Sequence, residues 1–142
     1  MIYASHLLEH LYFIKAKSLL RECHRIRIKN GVIRMVVPDL KILVKEYLSN
    51  DTLPTSEPKA DIFIRKLHMR SESPPTGNIL FRLYETLKDF HSHKWMYDEE
   101  SLIHHFKEAG FLDVKKCDFQ DSLIEDIGII EKAEGIYVEG VK

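Results

Sequence analysis

The sequence predicts an α/β domain built on a mostly parallel sheet with flanking helices. Over residues 1–48, segments with strand-like and helix-like apolar patterns alternate as strand, helix, strand, helix. This order is typical of a parallel sheet with right-handed crossovers. The chain has 142 residues, of which 44% are hydrophobic, and this is enough to bury one core. We therefore expect a single domain over residues 1–142.

The individual elements follow from local patterns. Strand predictions rest on short apolar or β-branched runs, and helix predictions on apolar residues that recur every three or four positions. Ser5 and Asp39 each precede a helical pattern that they can cap. In order, the predicted elements are a strand at Ile2–Ala4, a helix from Leu7 to about Arg25, a strand at Val32–Val37, a helix at Leu40–Leu48, a short helix at Ala60–Met69, helices at Asn78–Phe90 and Asp98–Ala109, and strands at Phe111–Phe119 and Gly135–Val141.

Two stretches carry few signals of regular structure. Residues 49–77 hold four of the five prolines and are expected to form an irregular, exposed insert. The acidic stretch from Asp118 to Glu134 is interpreted as a solvated surface without a specific role.

The helix at Leu40–Leu48 is expected to bury its apolar side, which carries Leu40, Leu43, Val44 and Tyr47.

Composition excludes several classes of protein. Lys and Arg number 21 and Asp and Glu number 22, so the chain lacks the basic field of a nucleic-acid binder. Cys23 and Cys117 lack C-x-x-C spacing and are interpreted as ordinary thiols. No run approaches the roughly 20 apolar residues of a membrane span, and Met1 leads into structured-looking sequence without a cationic leader. We expect a cytoplasmic protein.

Several segments, in this order, carry a family resemblance. They are Ile2–His10, Asn30–Asp39, Trp95–Leu102 continued by Glu108–Phe111, and Ile136–Lys142. They are similar to the latter part of class I SAM-dependent methyltransferases of the type 11 branch, where SAM is S-adenosyl-L-methionine. The resemblance covers the C-terminal two-thirds of such a protein. It implies a Rossmann-like methyltransferase fold, truncated at the N-terminus and closed by a final antiparallel strand.

The resemblance also indicates which part of the family's cofactor site is encoded here. In the family, Ile2–Ala4 corresponds to the fourth strand of the sheet. The preceding strands carry a Gly-rich turn that approaches the cofactor and an acidic residue that holds its ribose. The six glycines of this chain include no G-x-G pair. We therefore expect the isolated chain to bind SAM weakly or not at all.

Ser5 and His6 are the cofactor-binding candidates. In the resembled family, the turn that follows the fourth strand lines the sulfonium of SAM and the acceptor pocket. The alternative is structural, with Ser5 as a helix cap and His6 solvated.

His6, Glu9 and His10 spell H-x-x-E-H, a zinc motif in which both histidines bind the metal and the glutamate acts as a base. A zinc site needs a third protein ligand, and the same letters occur in the methyltransferase segment. We therefore expect no metal here. His10 is instead placed among the candidates on the substrate side, with a histidine on a helix surface as the alternative.

The other substrate-side candidates are Asp39, His93, Trp95 and Tyr97. Asp39 follows a strand at its carboxyl end, so it can orient or deprotonate an acceptor, or simply cap the next helix. The remaining three combine a possible base with aromatic walls typical of small-molecule pockets. Alternatively, Trp95 and Tyr97 form a hydrophobic staple and fill the core.

Two functions follow from these observations. The first is methyl transfer from SAM to a small-molecule or other acceptor, and the second is a non-catalytic interaction or scaffold role. In both cases Ile2–Ala4 and the helix after it are expected to expose apolar surface. An exposed strand edge invites pairing, so we expect a homo-oligomer that buries the N-terminal strand and helix.

Overall fold

A computed structural model describes residues 1–26, 28–49, 57–69 and 92–142. The predicted helix at Asn78–Phe90 and parts of the proline-rich insert lie outside these ranges. In chain order the described elements are strand β1 (Ile2–Ser5), a 3₁₀ turn (Leu8–His10), helix α1 (Phe13–Ile26), strand β2 (Val32–Val37), helices α2 (Leu40–Leu48), α3 (Lys59–Lys66) and α4 (Glu99–Glu108), strand β3 (Leu112–Cys117), the short helix α5 (Ile127–Ile130) and strand β4 (Ile136–Val141).

The described strands form one mixed sheet in the order β1-β2-β4-β3. β1 and β2 pair in parallel, in a register that places Ile2 opposite Ile33. β4 lies between β2 and β3 and is antiparallel to both. Three strands therefore share one direction, and the final strand runs against them, as the sequence predicts. The expectation of a mostly parallel sheet holds for strand direction but not for pairing, since β1 and β2 form the only parallel pair among the described strands.

The principal core lies on one face of this sheet, under α1 and α4. α1 buries Ala16, Leu20 and Cys23, which recur at the spacing of one helix face, while Ile14 on its other side is 70% exposed. The buried members of the core are Leu8, Ala16, Leu20, Cys23, Ile33, Met35, Val37, Tyr97, Leu102, Phe106, Phe111, Ile136 and Val138.

The predicted start of the first helix, at Leu7, is wrong. Ser5 stays in β1, and its hydroxyl caps nothing. The chain then forms a 3₁₀ turn, and α1 begins only at Phe13. The reason is local: His6 has φ 50°, and Leu11 after the turn is extended at φ −95° and ψ 142°, so the helix cannot run through. Burial of Leu8 anchors the turn against the sheet.

α2 begins as predicted but buries less than expected. The Asp39 carboxylate accepts a hydrogen bond of 2.8 Å from the Lys41 N–H and caps the helix. No residue of α2 is fully buried, and Val44 and Tyr47 are 36% and 42% exposed. The expected buried face is therefore wrong for these two residues. Tyr47 instead packs on Phe63 of α3, with ring centroids 5.1 Å apart.

α4 is confirmed together with both of its end signals. The Asp98 carboxylate accepts from the Ser101 N–H, and the Ser101 hydroxyl accepts from the Asp98 N–H, which completes a capping box. Gly110 follows the helix with φ 101°, a conformation that glycine adopts without strain. The chain can then reverse into β3.

The acidic stretch that follows β3 is not simply a solvated surface. Arg34 projects from β2 onto the second face of the sheet and is fully buried there. Its guanidinium donates to the Glu131 carboxylate at 2.6 and 2.7 Å and to Glu139 at 3.1 Å. It also donates to the carbonyls of Asp118 and Asp121. These contacts hold residues 118–131 against the sheet.

Two further sequence predictions concern cysteine and membrane segments. Cys23 and Cys117 are both buried and form no disulfide bond, which agrees with their interpretation as ordinary thiols. Among the described residues, no helix has the length and apolar character needed to cross a membrane.

Candidate functional site

An open cleft of about 580 Å³ lies where β1 and β2 end. His6 directly follows β1, and Pro38 and Asp39 directly follow β2. In open α/β sheets the carboxyl ends of the strands are where ligands bind. The residues that line the cleft are His6, Pro38, Asp39, Ile42, Leu43, Lys66, His68, His93, Glu134, Gly135 and Tyr137.

His6 lies at the inner end of the cleft in an unusual backbone conformation. Its N–H donates to the Val36 carbonyl at 2.9 Å, which extends the β1–β2 ladder by one hydrogen bond. Its φ of 50° is uncommon for a residue other than glycine, and such conformations concentrate at functional sites. The ring then reaches two partners, with Nε2 3.2 Å from the Glu134 carbonyl and Nδ1 3.1 Å from Glu9 Oε1.

The segment before α4 brings a second histidine to the same cleft. The Lys94 and Trp95 N–H groups both donate to the Glu9 carbonyl, at 2.6 and 3.1 Å. The His93 N–H donates to the His68 carbonyl at 2.8 Å. These backbone contacts fix His93 between the 3₁₀ turn and the end of α3, where its side chain lines the cleft and is largely buried.

Glu9 is the most unusual residue of the site. It is fully buried, and neither carboxylate oxygen has a hydrogen-bond partner. The contact with His6 Nδ1 has a hydrogen-bond distance but lacks the alignment of a hydrogen bond. Burial raises the pKa of Glu9, and the nearby His6 and His10 oppose that rise. A buried carboxylate is costly unless it is protonated or lies beside a cation.

Two histidines beside Glu9 are oriented by backbone carbonyls. His10 Nδ1 lies 3.4 Å from the Ser92 carbonyl, and His93 Nδ1 lies 2.9 Å from the Leu67 carbonyl. Their rings contact edge to face at 5.0 Å. A carbonyl can only accept, so each Nδ1 carries the proton and each Nε2 of the neutral ring has a free lone pair. Burial lowers the pKa of His93, which favours its neutral form.

The structure brings together three of the residues proposed from sequence. His6, Asp39 and His93 line one cleft although they come from three separate segments. His10 does not line it, but its ring packs directly against that of His93. Ser5 is half-buried at the end of β1, and its hydroxyl has no hydrogen-bond partner.

Trp95 and Tyr97 do not line the cleft. Trp95 packs against Phe13 of α1 with ring centroids 4.6 Å apart and remains 41% exposed. Tyr97 is a core residue, and burial together with the charge of Glu9 raises its pKa to about 12. Its carbonyl accepts from the Leu40 N–H at 2.9 Å, so its backbone positions the residues that follow β2.

Sequence reasoning missed part of this site. Glu9 was considered only as one letter of a motif, and a glutamate between leucine and histidine gives no sign that it is buried. Lys66 and His68 lie in the short helix predicted at Ala60–Met69, and Glu134 lies in the acidic stretch, but no motif marks any of the three as a site residue. Gly135 offers a weak signal, because a glycine just before a strand is common where two backbones approach closely.

Comparisons with known proteins give one structural neighbour to report. No protein-family model matches the sequence, and no curated protein matches it. The fold is similar to the crystal structure of a putative O-methyltransferase from Nostoc punctiforme, with a TM-score of 0.48 and 10% sequence identity. The match covers 99% of this chain and 30% of the other, so this chain spans about 30% of that protein's length.

Proposed function

We propose that this chain provides the acceptor side of a SAM-dependent methyltransferase site, with a small-molecule acceptor bound in the cleft. The observation that carries the proposal is the convergence of His6, Asp39 and His93 at the carboxyl ends of two neighbouring parallel strands. Ligands of α/β proteins bind at such ends. The segments Ile2–His10 and Asn30–Asp39, which resemble methyltransferases, contribute His6 and Asp39 to this cleft.

The proposal assigns one side of SAM to the end of β1. SAM supplies an electrophilic methyl group on its sulfonium. The Ser5 hydroxyl at this strand end has no hydrogen-bond partner within the described residues. Neither a G-x-G turn nor a ribose-binding acid after a second strand has been identified in the 142 residues. In this proposal the end of β1 contacts only part of the cofactor, and we therefore expect the chain alone to bind SAM weakly.

Asp39 is the residue best placed to orient an acceptor. Its Oδ1 accepts from the Lys41 N–H, and that contact fixes the carboxylate at the mouth of the cleft. Oδ2 is left to accept a hydrogen bond from an acceptor hydroxyl or amine. Methyl transfer depends chiefly on alignment of the acceptor with the methyl group, so a fixed carboxylate at this point is useful chemistry. We therefore expect the methyl acceptor to carry a polar group, such as a hydroxyl or an amine.

An NMR titration tests the proposal. Backbone amide resonances of the ¹⁵N-labelled chain would be followed during addition of SAM and of its demethylated product, S-adenosylhomocysteine, to millimolar concentration. We expect fast-exchange shifts at Ser5, His6 and Asp39 and none on the outer strand β3. The variant Ser5→Ala should weaken the shifts, and Asp113→Asn, on exposed β3, should leave them unchanged.

Two results would contradict the proposal. One is a spectrum unchanged by either ligand at millimolar concentration, and the other is a set of shifts centred away from the ends of β1 and β2. Calorimetric binding at micromolar affinity or tighter would contradict the narrower expectation that the chain alone binds SAM weakly.

A second candidate function, a non-catalytic interaction domain, is favoured by the surface of α1. Tyr12, just before the helix, and Ile14 within it are each 70% exposed, and β1 lies at an edge of the described sheet. Exposed apolar surface and an open strand edge are each typical of a protein interface. An unchanged NMR spectrum combined with stable self-association would favour this function.

A further inference from the structure

The buried carboxylate of Glu9 lies among groups that bind metals. Glu9 offers one carboxylate oxygen, and His10 and His93 each offer one ring nitrogen. These three atoms lie within 4.8 Å of one another. His10 Nε2 is 4.0 Å from Glu9 Oε1. Glu9 itself is completely buried and has no hydrogen bond from its side chain. The site therefore combines a buried carboxylate that accepts no hydrogen bond with two potential ligands.

Both histidines are prepared as ligands. Because their Nδ1 atoms face the carbonyls of Ser92 and Leu67, the Nε2 atoms hold the free lone pairs. A histidine that binds a metal through one nitrogen usually donates its other N–H to a carbonyl or carboxylate, which fixes the ring and raises its basicity. His10 and His93 therefore already have the hydrogen bond that usually holds the second ring nitrogen of a metal-bound histidine.

His6 adds an electrostatic argument. If its Nε2 donates to the Glu134 carbonyl, the Nδ1 of the neutral ring presents a lone pair to Glu9 Oε1 at 3.1 Å. Two lone pairs repel at that distance. A metal ion bound to the Glu9 carboxylate would offset this repulsion.

We propose that Glu9, His10 and His93 bind one divalent transition-metal ion of the zinc type, through a carboxylate oxygen and two Nε2 atoms. Two imidazoles and one carboxylate form a ligand set that suits zinc, whereas magnesium and calcium prefer sites made only of oxygen. Three protein ligands leave one position of a tetrahedral ion open. His93 also lines the cleft, so the proposed ion would lie beside it.

This site differs from the H-x-x-E-H zinc motif found in the sequence. In that motif the two histidines are ligands and the glutamate is a base. Here Glu9 is a ligand, His6 is its neighbour, and the third ligand is His93 from a distant segment. The expectation that no metal binds rested on the lack of a third ligand, and the fold places one there.

A zinc titration tests the proposal without reference to SAM or to catalysis. The full chain, stripped with a chelator and dialysed, would be titrated with zinc chloride against a chromophoric chelator, and cobalt(II) would be added in a parallel sample. We expect one zinc per chain and the visible absorption bands of four-coordinate cobalt. Glu9→Gln and His93→Ala should each abolish stoichiometric binding, while circular dichroism verifies that they fold.

A second cluster in the same chain provides the matched control. His104, His105 and Glu108 on α4 also hold ligand atoms within 4.8 Å of one another, but they are more exposed and their polar atoms have other partners. His104→Ala should therefore leave zinc binding unchanged. A metal-free protein, or zinc binding that survives His93→Ala or disappears in His104→Ala, would overturn the proposal.

Discussion

Arg34 and Glu131 form a fully buried, two-pronged ion pair between residues 97 positions apart in the sequence. The guanidinium lies over the ring of Tyr137 at 5.0 Å. The second carboxylate, Glu139, accepts from the same guanidinium and from the Ser122 hydroxyl. This ion pair joins the loop before β4 to the centre of the sheet. The same loop carries the cleft residues Glu134 and Gly135, so their position depends on the ion pair.

Loss of one partner should destabilise the fold strongly. Glu131→Gln leaves the buried Arg34 charge with Glu139 alone, and we expect the free energy of unfolding to fall by about 3 kcal/mol, because an uncompensated buried charge is costly. Urea denaturation measures the change. The control is Glu22→Gln, which breaks an exposed two-pronged pair with Arg25 and should leave the midpoint unchanged. Equal losses in both variants would contradict this prediction.

Gly135 is expected to tolerate no side chain. A Cβ at this position would lie 2.3 Å from the Val37 carbonyl oxygen, a distance that requires the backbone to move. Gly135→Ala should therefore lower stability by roughly 2 kcal/mol or more and perturb the cleft, which Gly135 lines. Gly128→Ala is the matched control, since its nearest neighbour is a side-chain atom at 3.7 Å. Thermal unfolding of both variants decides, and a stable Gly135→Ala protein would be inconsistent with this packing.

The elements that sequence predicts best are those whose signals are local. α4 has its cap at Asp98 and its stop at Gly110, and both act through neighbouring backbone groups. Asp39 likewise caps α2 through the next turn of chain. β2 follows from a nearly continuous β-branched run, and β4 from the alternation of apolar residues with polar or small ones. For these elements the chemistry that decides the structure is contained within a few residues.

The burial of charged residues could not be predicted in the same way. Arg34 interrupts an apolar strand, and only the arrival of Glu131 from another segment explains why it is tolerated there. Glu9 depends on the same kind of distant event, because the segment around His93 covers it. The left-handed backbone of His6 is also set by the sheet and not by its neighbours. Sequence therefore located the cleft residues at strand ends but not the buried acid behind them.

The charge of Glu108 links α1 to α4 and sets a testable pH dependence. Hydrogen bonds from Lys17 and His105 lower the pKa of Glu108 to about 2, below its ordinary value of 4.5. Because the folded pKa is lowered, the contribution of Glu108 to stability is present above pH 4.5 and is lost as the pH falls toward 2.

NMR titration of the side-chain carboxyl carbons measures this pKa directly. We expect Lys17→Ala to raise the pKa of Glu108 toward 4.5, because it removes the strongest partner. Lys15→Ala, on the same helix, should leave it unchanged. A pKa near 4.5 in the unmodified chain would show that the contact between the two helices does not persist in solution.

The final prediction concerns self-association through the N-terminal strand and helix. Among the described strands, β1 pairs only with β2, so its other edge presents unpaired backbone groups. Apolar side chains that follow β1 in the chain are exposed, including Tyr12 and Ile14 at 70%. Burial of roughly 400 Å² of apolar surface would contribute about 10 kcal/mol before the cost of association. A symmetric homodimer is the simplest assembly that covers such a surface.

Light scattering coupled to size exclusion, at tens of micromolar protein, should therefore report twice the mass of the chain. Ile14→Lys places a charge on the expected interface and should shift the equilibrium to monomer. Ile129→Lys is the matched control, because Ile129 is 71% exposed on α5, away from β1 in the chain, and its replacement should leave the dimer intact. The unmodified chain must dimerise for this reasoning to hold. A monomer with an ordered N-terminal strand would show that β1 tolerates an open edge, and equal effects of the two lysine variants would place the interface elsewhere.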